Sequence, residues 1–165
     1  MRTAHHFEVV DIGCGRGQLG IALLQAGLAA AVLGIDCQAA HLAQAEQAAA
    51  GLALQTQLQD LASGFGSLAG DTIMAINVLY QLDDDSRRQL LQAMARAARR
   101  RIVLRLLDPE CGLRSRLTVG LEQLWRGVSP HAGRRVDPWP VARIQTEMRL
   151  ASRLVETASR DPLGI

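Results

Sequence analysis

The chain has 165 residues, of which 48% are hydrophobic, 21% charged and only 3% aromatic. That composition excludes wholesale disorder and suffices for one domain, with Leu, Ala, Val and Ile supplying the core. Its 18 non-histidine basic residues are all Arg, which excludes lysine chemistry, and a formal net charge of +2 is too weak to announce nucleic acid.

No apolar run approaches the roughly 20 residues that span a bilayer. Residues 1–6 show no apolar signal segment, so the expected address is the cytoplasm, with no membrane contact. Cys14, Cys37 and Cys111 are odd in number and widely spaced. They fit free thiols in a reducing compartment, and no metal site is expected.

In chain order, residues 7–12 are a short apolar run ending in glycines, which predicts a buried strand. Residues 18–26 place Leu19, Ala22, Leu23 and Ala26 at helical spacing, stopped by Gly27. Residues 31–35 predict a second strand, closed by Asp36. Residues 39–50 are rich in Ala and Gln and predict a helix ended by Gly51. Leu52, Leu54, Thr56 and Leu58 alternate with smaller or polar residues, a period-2 signal for a third strand. Residues 72–76 predict a fourth. Asp83, Asp84 and Asp85 then open a helix expected to end at Arg99, Arg100 and Arg101. Its acids and bases complement the macrodipole, and Leu90, Leu91, Met94 and Ala98 share one face. Residues 102–106 predict a fifth strand, ended by Pro109. Beyond it, 112–127 and 141–159 read as helices around a turn-rich 134–140, and only 153–158 offers a further strand.

Strands alternating with helices imply right-handed crossovers and an α/β fold. The expected architecture is a doubly wound, mostly parallel, Rossmann-like sheet of five or more strands with helices on both faces. A single domain is expected, with residues 1–107 as a ligand-binding core and 108–165 as a mostly helical C-terminal part. Ligands of such sheets sit beyond the carboxyl ends of the strands, so the residues that follow each strand are the candidates.

After strand one comes Asp11-Ile12-Gly13-Cys14-Gly15-Arg16-Gly17. Glycines there permit a sharp turn and a close ligand, and the next helix offers free N–H groups. A dinucleotide fingerprint needs a glycine at position 18, which is Gln. Asp36, ending strand two, is placed to accept both ribose hydroxyls of an adenosine cofactor, NAD included. Asp60, past strand three, is placed to accept an adenine amino hydrogen, with Leu61 on the ring face. Asn77 and Tyr80 follow strand four.

On these residues the chain resembles the class I S-adenosylmethionine-dependent methyltransferases. Residues 9–17 match the family's first motif, and Asp36 and Asp60 match its later acids, over roughly residues 7–107. The resemblance implies S-adenosylmethionine as cofactor and methyl transfer to an acceptor, here a small molecule. It implies that Gly13, Cys14, Gly15 and Gly17 hold the methionine part, with Asp11 ordering the turn or reaching the ammonium through water. Asp36 takes the ribose. Cys37, Asp60 and Leu61 frame the adenine, Asn77 contacts the cofactor through backbone, and Tyr80 lies nearby. Asp36 is expected to be replaceable at little cost in folding.

The family's closing antiparallel strand pair is reduced or missing in this sequence. A bare fifth strand suggests cover by tail helices or by a second copy in a homodimer. No catalytic base is identified: His41 falls inside a predicted helix, His5 and His6 precede strand one, and His131 lies in the tail. The alternatives are a non-catalytic or truncated cofactor-binding module and an NAD(P)-dependent oxidoreductase.

Overall fold

Val9–Ile12 is buried throughout and forms β1 at the centre of a sheet. The computed structural model describes residues 8–60, 69–106 and 138–160, with the side chains of the last helix described through Ser152. β2 (Val32–Asp36) and β4 (Gly70–Ile76) flank β1, while β3 (Leu54–Leu58) and β5 (Ala98–Arg105) lie outside them. The order is β3-β2-β1-β4-β5 and every pairing is parallel. Continuous apolar runs in the inner strands are what burial on both faces of a parallel sheet requires.

Alternation along β1 divides the core. Val9 points to one side with Val32, Met74 and the α1 (Gln18–Gln25) residues Leu23 and Leu24. Val10 and Ile12 point to the other, with Ile73, Ala75 and the α3 (Asp84–Ala97) residues Leu90, Ala93 and Met94. Between α1 and α3 come α2 (Ala39–Ala48) and a 3-10 turn over Leu79–Gln81. The strand order reverses at β1, between β2 and β4, so the crevice above β1 is the natural ligand position.

α3 opens as the acids predict: the Ser86 N–H donates to the Asp83 carboxylate at 2.9 Å. Its end differs from expectation. The helix stops at Ala97, and Ala98, Arg99, Arg100 and Arg101 already belong to β5. The reason is pairing with β4, whose register sets Thr72 opposite Arg101 and Ile73 opposite Ile102. A strand at the end of the sheet order keeps arginine side chains in water while Ile102 and Leu104 pack on the α3 side.

The helix expected over 141–159 is present as α4 (Val141–Arg160), and the strand that 153–158 alone offered does not form, because those residues continue the helix. Ile144, Met148 and Ala151 repeat at helical spacing, and Ile144 and Ala151 are buried. α4 docks through Trp139, which packs with Leu79, Leu91 and Ile144 against Leu104 and Leu106. Trp139 Nε1 donates to Asp84 Oδ1 at 2.9 Å, and the Arg143 guanidinium lies 3.7 Å from the centre of its ring. Arg87 is buried beneath, donating from Nε to the Leu79 carbonyl at 2.8 Å.

The expected helix over 112–127 lies outside the described residues, as do Leu61 and Cys111. Among the described residues, no helix is long and apolar enough to cross a membrane.

Candidate functional site

The carboxyl end of β1 runs directly into the glycine turn. The Gly13 and Cys14 N–H groups both donate to the Ile35 carbonyl, at 2.7 and 3.0 Å, which fastens the turn to β2. Gly13 has φ +70°, and a Cβ there would overlap Val78 Cγ2. Gly15 has φ +55° and is different: a Cβ there would meet nothing within 4 Å. Packed glycine on one side and open space on the other make a cradle for a ligand close to the backbone. α1 follows Gly17 with no side-chain cap, leaving its first N–H groups directed at that cradle.

Asp36 ends β2 and is nearly buried. Its Oδ2 accepts the Gly15 N–H and its Oδ1 the Gln38 N–H, each at 2.9 Å. The hydrogen bond that orders the turn therefore goes to Asp36, where Asp11 was one expectation. Asp11 is 3% exposed in the middle of the sheet. Burial, with the Asp36 charge adding to it, pushes its carboxyl up to about 7. Cys14 lays its thiol against Gly34, where a Cβ would come within 2.8 Å of Sγ. Burial first, then Asp11 and Asp36, pushes that thiol up to about 12, so it packs as a neutral group and is no nucleophile.

Cys37 is exposed just past Asp36; burial of its sulfur and the Asp36 and Asp60 charges raise its thiol. The Gln59 N–H donates to the Asp36 carbonyl at 2.9 Å, which brings the exposed Asp60 to the same end of the sheet. Across β1, Asn77 adopts φ +60°, a conformation Asn tolerates better than most residues. Its N–H donates to the Arg105 carbonyl, and its carbonyl accepts from Gln81 Nε2. Tyr80 is buried in the 3-10 turn and lines a small cavity with Arg87, Leu106 and Trp139, on the α4 side. Asp11, Gly13, Cys14, Gly15, Gly17, Asp36, Cys37, Asp60 and Asn77 thus gather at one end of the sheet.

Sequence reasoning missed His41, whose Nδ1 stands 3.7 Å from Asp36 Oδ1. Its signal was position: the first turn of the helix that follows a functional strand end faces back over that end.

Residues 9–101 match the methyltransferase domain family. The chain belongs to that family. Its fold matches magnesium protoporphyrin IX methyltransferase from Synechocystis PCC 6803, crystallised with S-adenosylhomocysteine, at 28% identity and a TM-score of 0.67. That match covers 88% of this chain and 64% of the other. The methyltransferase SibL, in its apo form, is 20% identical with a TM-score of 0.69, covering 89% of this chain and 44% of its own. The YcgJ protein of Bacillus subtilis is 18% identical with a TM-score of 0.66, covering 91% and 63%. The chain therefore spans less than two thirds of the length of these solved structures. The family is that of the class I S-adenosylmethionine-dependent methyltransferases, as the turn and the acids implied.

The site suits that cofactor. Gly15 leaves open space against the backbone, and the Asp36 carboxylate retains acceptor capacity beyond the two N–H groups it holds.

Proposed function

We propose that this chain binds S-adenosylmethionine over the carboxyl ends of β1, β2 and β4 and transfers its methyl group to a small-molecule acceptor. The observation that carries this reading is the Asp36-tethered glycine turn with open space at Gly15. When bound, the cofactor supplies an already electrophilic sulfonium methyl, and the protein contributes alignment and a dry, preorganised site. Asp36 would accept the ribose hydroxyls, and Cys37 and Asp60 would flank the adenine. The N–H groups at the start of α1 and the Gly15 backbone would receive the carboxylate of the methionine part. Asp11 would face its ammonium, and Asn77 would offer its carbonyl. Leu61 completes the proposed set, and Tyr80, buried on the α4 side, is left out of it. A base is required only for an acceptor that must lose a proton, and none is assigned. The free thiols of Cys14 and Cys37 support a cytoplasmic address within the same proposal.

Calorimetry tests the cofactor. S-adenosylhomocysteine should bind and NAD should give no heat, because position 18 lacks the glycine a dinucleotide needs. Tight NAD binding with no response to S-adenosylhomocysteine would overturn the reading.

A further inference from the structure

β4 ends at Ile76, and the chain turns at Asn77 before the 3-10 turn over Leu79–Gln81. Asn77 adopts φ +60°, a region that a non-glycine residue occupies only where its surroundings hold it there. Three contacts do so. The Asn77 N–H donates to the Arg105 carbonyl of β5 at 3.1 Å. Val78 packs over Gly13, where a Cβ would overlap its Cγ2. The Asn77 carbonyl accepts from Gln81 Nε2 at 2.7 Å. That last bond is made by a side chain, because the Gln81 N–H donates to the Val78 carbonyl instead. Gln81 is exposed, so no packing directs its amide to Asn77.

We propose that Gln81 is a positioning residue for the amino group of the cofactor's methionine part: its side-chain amide holds the Asn77 carbonyl in the direction from which that oxygen accepts the ammonium. This rests on the reading that Asn77 offers its carbonyl to the cofactor. A carbonyl oxygen has two lone pairs. Among the described residues Gln81 uses one, and the oxygen retains capacity for an ammonium hydrogen. An ammonium makes a charge-assisted bond, which is stronger than a neutral one. Fixing the acceptor before the ligand arrives removes an ordering cost from binding. Without the Gln81 amide, the peptide that joins Asn77 to Val78 loses the bond that orients its oxygen. Asp36 and Asp60 follow β2 and β3, on the opposite side of β1, so the adenosine contacts do not pass through residue 81.

Gln81→Met tests the assignment, since methionine keeps the length and bulk of the side chain and removes the donor. Two probes are titrated by calorimetry into the wild type and Q81M: S-adenosylhomocysteine, and the same molecule lacking only its α-amino group. The wild type should prefer the probe with the amino group. Q81M should bind S-adenosylhomocysteine about threefold or more weakly, as the loss of one hydrogen bond predicts, and should bind the desamino probe as the wild type does. Equal weakening toward both probes is the mark of a merely structural role and would overturn the proposal, as would unchanged affinity for S-adenosylhomocysteine. A wild type that binds the two probes equally removes the ammonium contact at Asn77 and this proposal with it. A wild type that binds neither removes the cofactor reading as well. A wild-type preference that Q81M retains in full removes the role of Gln81 alone.

Discussion

Asp36 combines two tasks that conflict when it is replaced. It was expected to be dispensable for folding, but the structure gives it the Gly15 and Gln38 N–H groups as donors. Asp36→Ala should therefore lower the affinity for S-adenosylhomocysteine about tenfold or more, through lost charge-assisted bonds. It should also destabilise the protein by roughly 1–3 kcal/mol, because two N–H groups near the core lose their acceptor. Calorimetry reads the first effect and thermal unfolding the second. Asp11 works in the opposite direction. Its carboxyl is raised to about 7 by burial and then by Asp36, so the native state holds a proton that the unfolded chain has already released. Stability consequently falls as pH rises from about 4 to about 7, and the penalty is complete above the native value. Asp11→Asn removes a charge that burial disfavours. It should raise the melting temperature at pH 8 by several degrees and do little at pH 4, with roughly 4 kcal/mol as an upper bound from the size of the shift. An equal effect at both pH values would show that burial of charge is not the cause.

At the scale of elements, two junctions depend on partners distant in sequence. α3 passes into β5 without a loop: the Ala98 N–H still donates to the Met94 carbonyl while its own φ and ψ are extended. The arginines there resemble a helix end when read alone, and only the β4 register opposite them makes them strand. α4 is held by Trp139, which fills the space between α3 and the end of β5 and joins Asp84, Arg87 and Arg143. Burial of the Asp84 carboxylate raises it, but hydrogen bonds from Arg143 and Trp139 and the Arg143 and Arg87 charges hold it below the usual carboxylate value. Trp139→Ala should cost roughly 3–5 kcal/mol, by loss of a buried ring and of the Nε1 donor. The check is thermal unfolding together with faster amide exchange in α4. Retention of full stability would show that α4 is docked by other contacts.

For the whole molecule, the sheet order leaves β5 at one end among the described strands. A second copy pairing along that strand would bring its exposed Arg99, Arg100, Arg101 and Arg105 close to their counterparts. Charge on an end strand is a device that proteins use against such pairing. The homodimer suggested by a bare strand therefore meets electrostatic opposition at β5. Light scattering at micromolar concentration and low salt should give the monomer mass. A stable dimer mass under those conditions would mean that association uses another face.

The alternation of apolar runs with Ala- and Leu-rich stretches was enough to establish a parallel α/β sheet, because each signal is local and periodic. The placement of the glycine turn, Asp36, Asp60 and Asn77 at one end of the sheet was legible for a related reason: each follows or ends a strand whose pattern is local. The end of α3 and the docking of Trp139 on Asp84 were not legible, since each depends on a partner many residues away. The same holds at the site. Which acid orders the turn, how far burial raises Asp11, and that His41 faces Asp36 were decided only when β1, β2 and α2 came together. Hydrogen-bond direction and desolvation belong to the packed arrangement, and no single segment carries them.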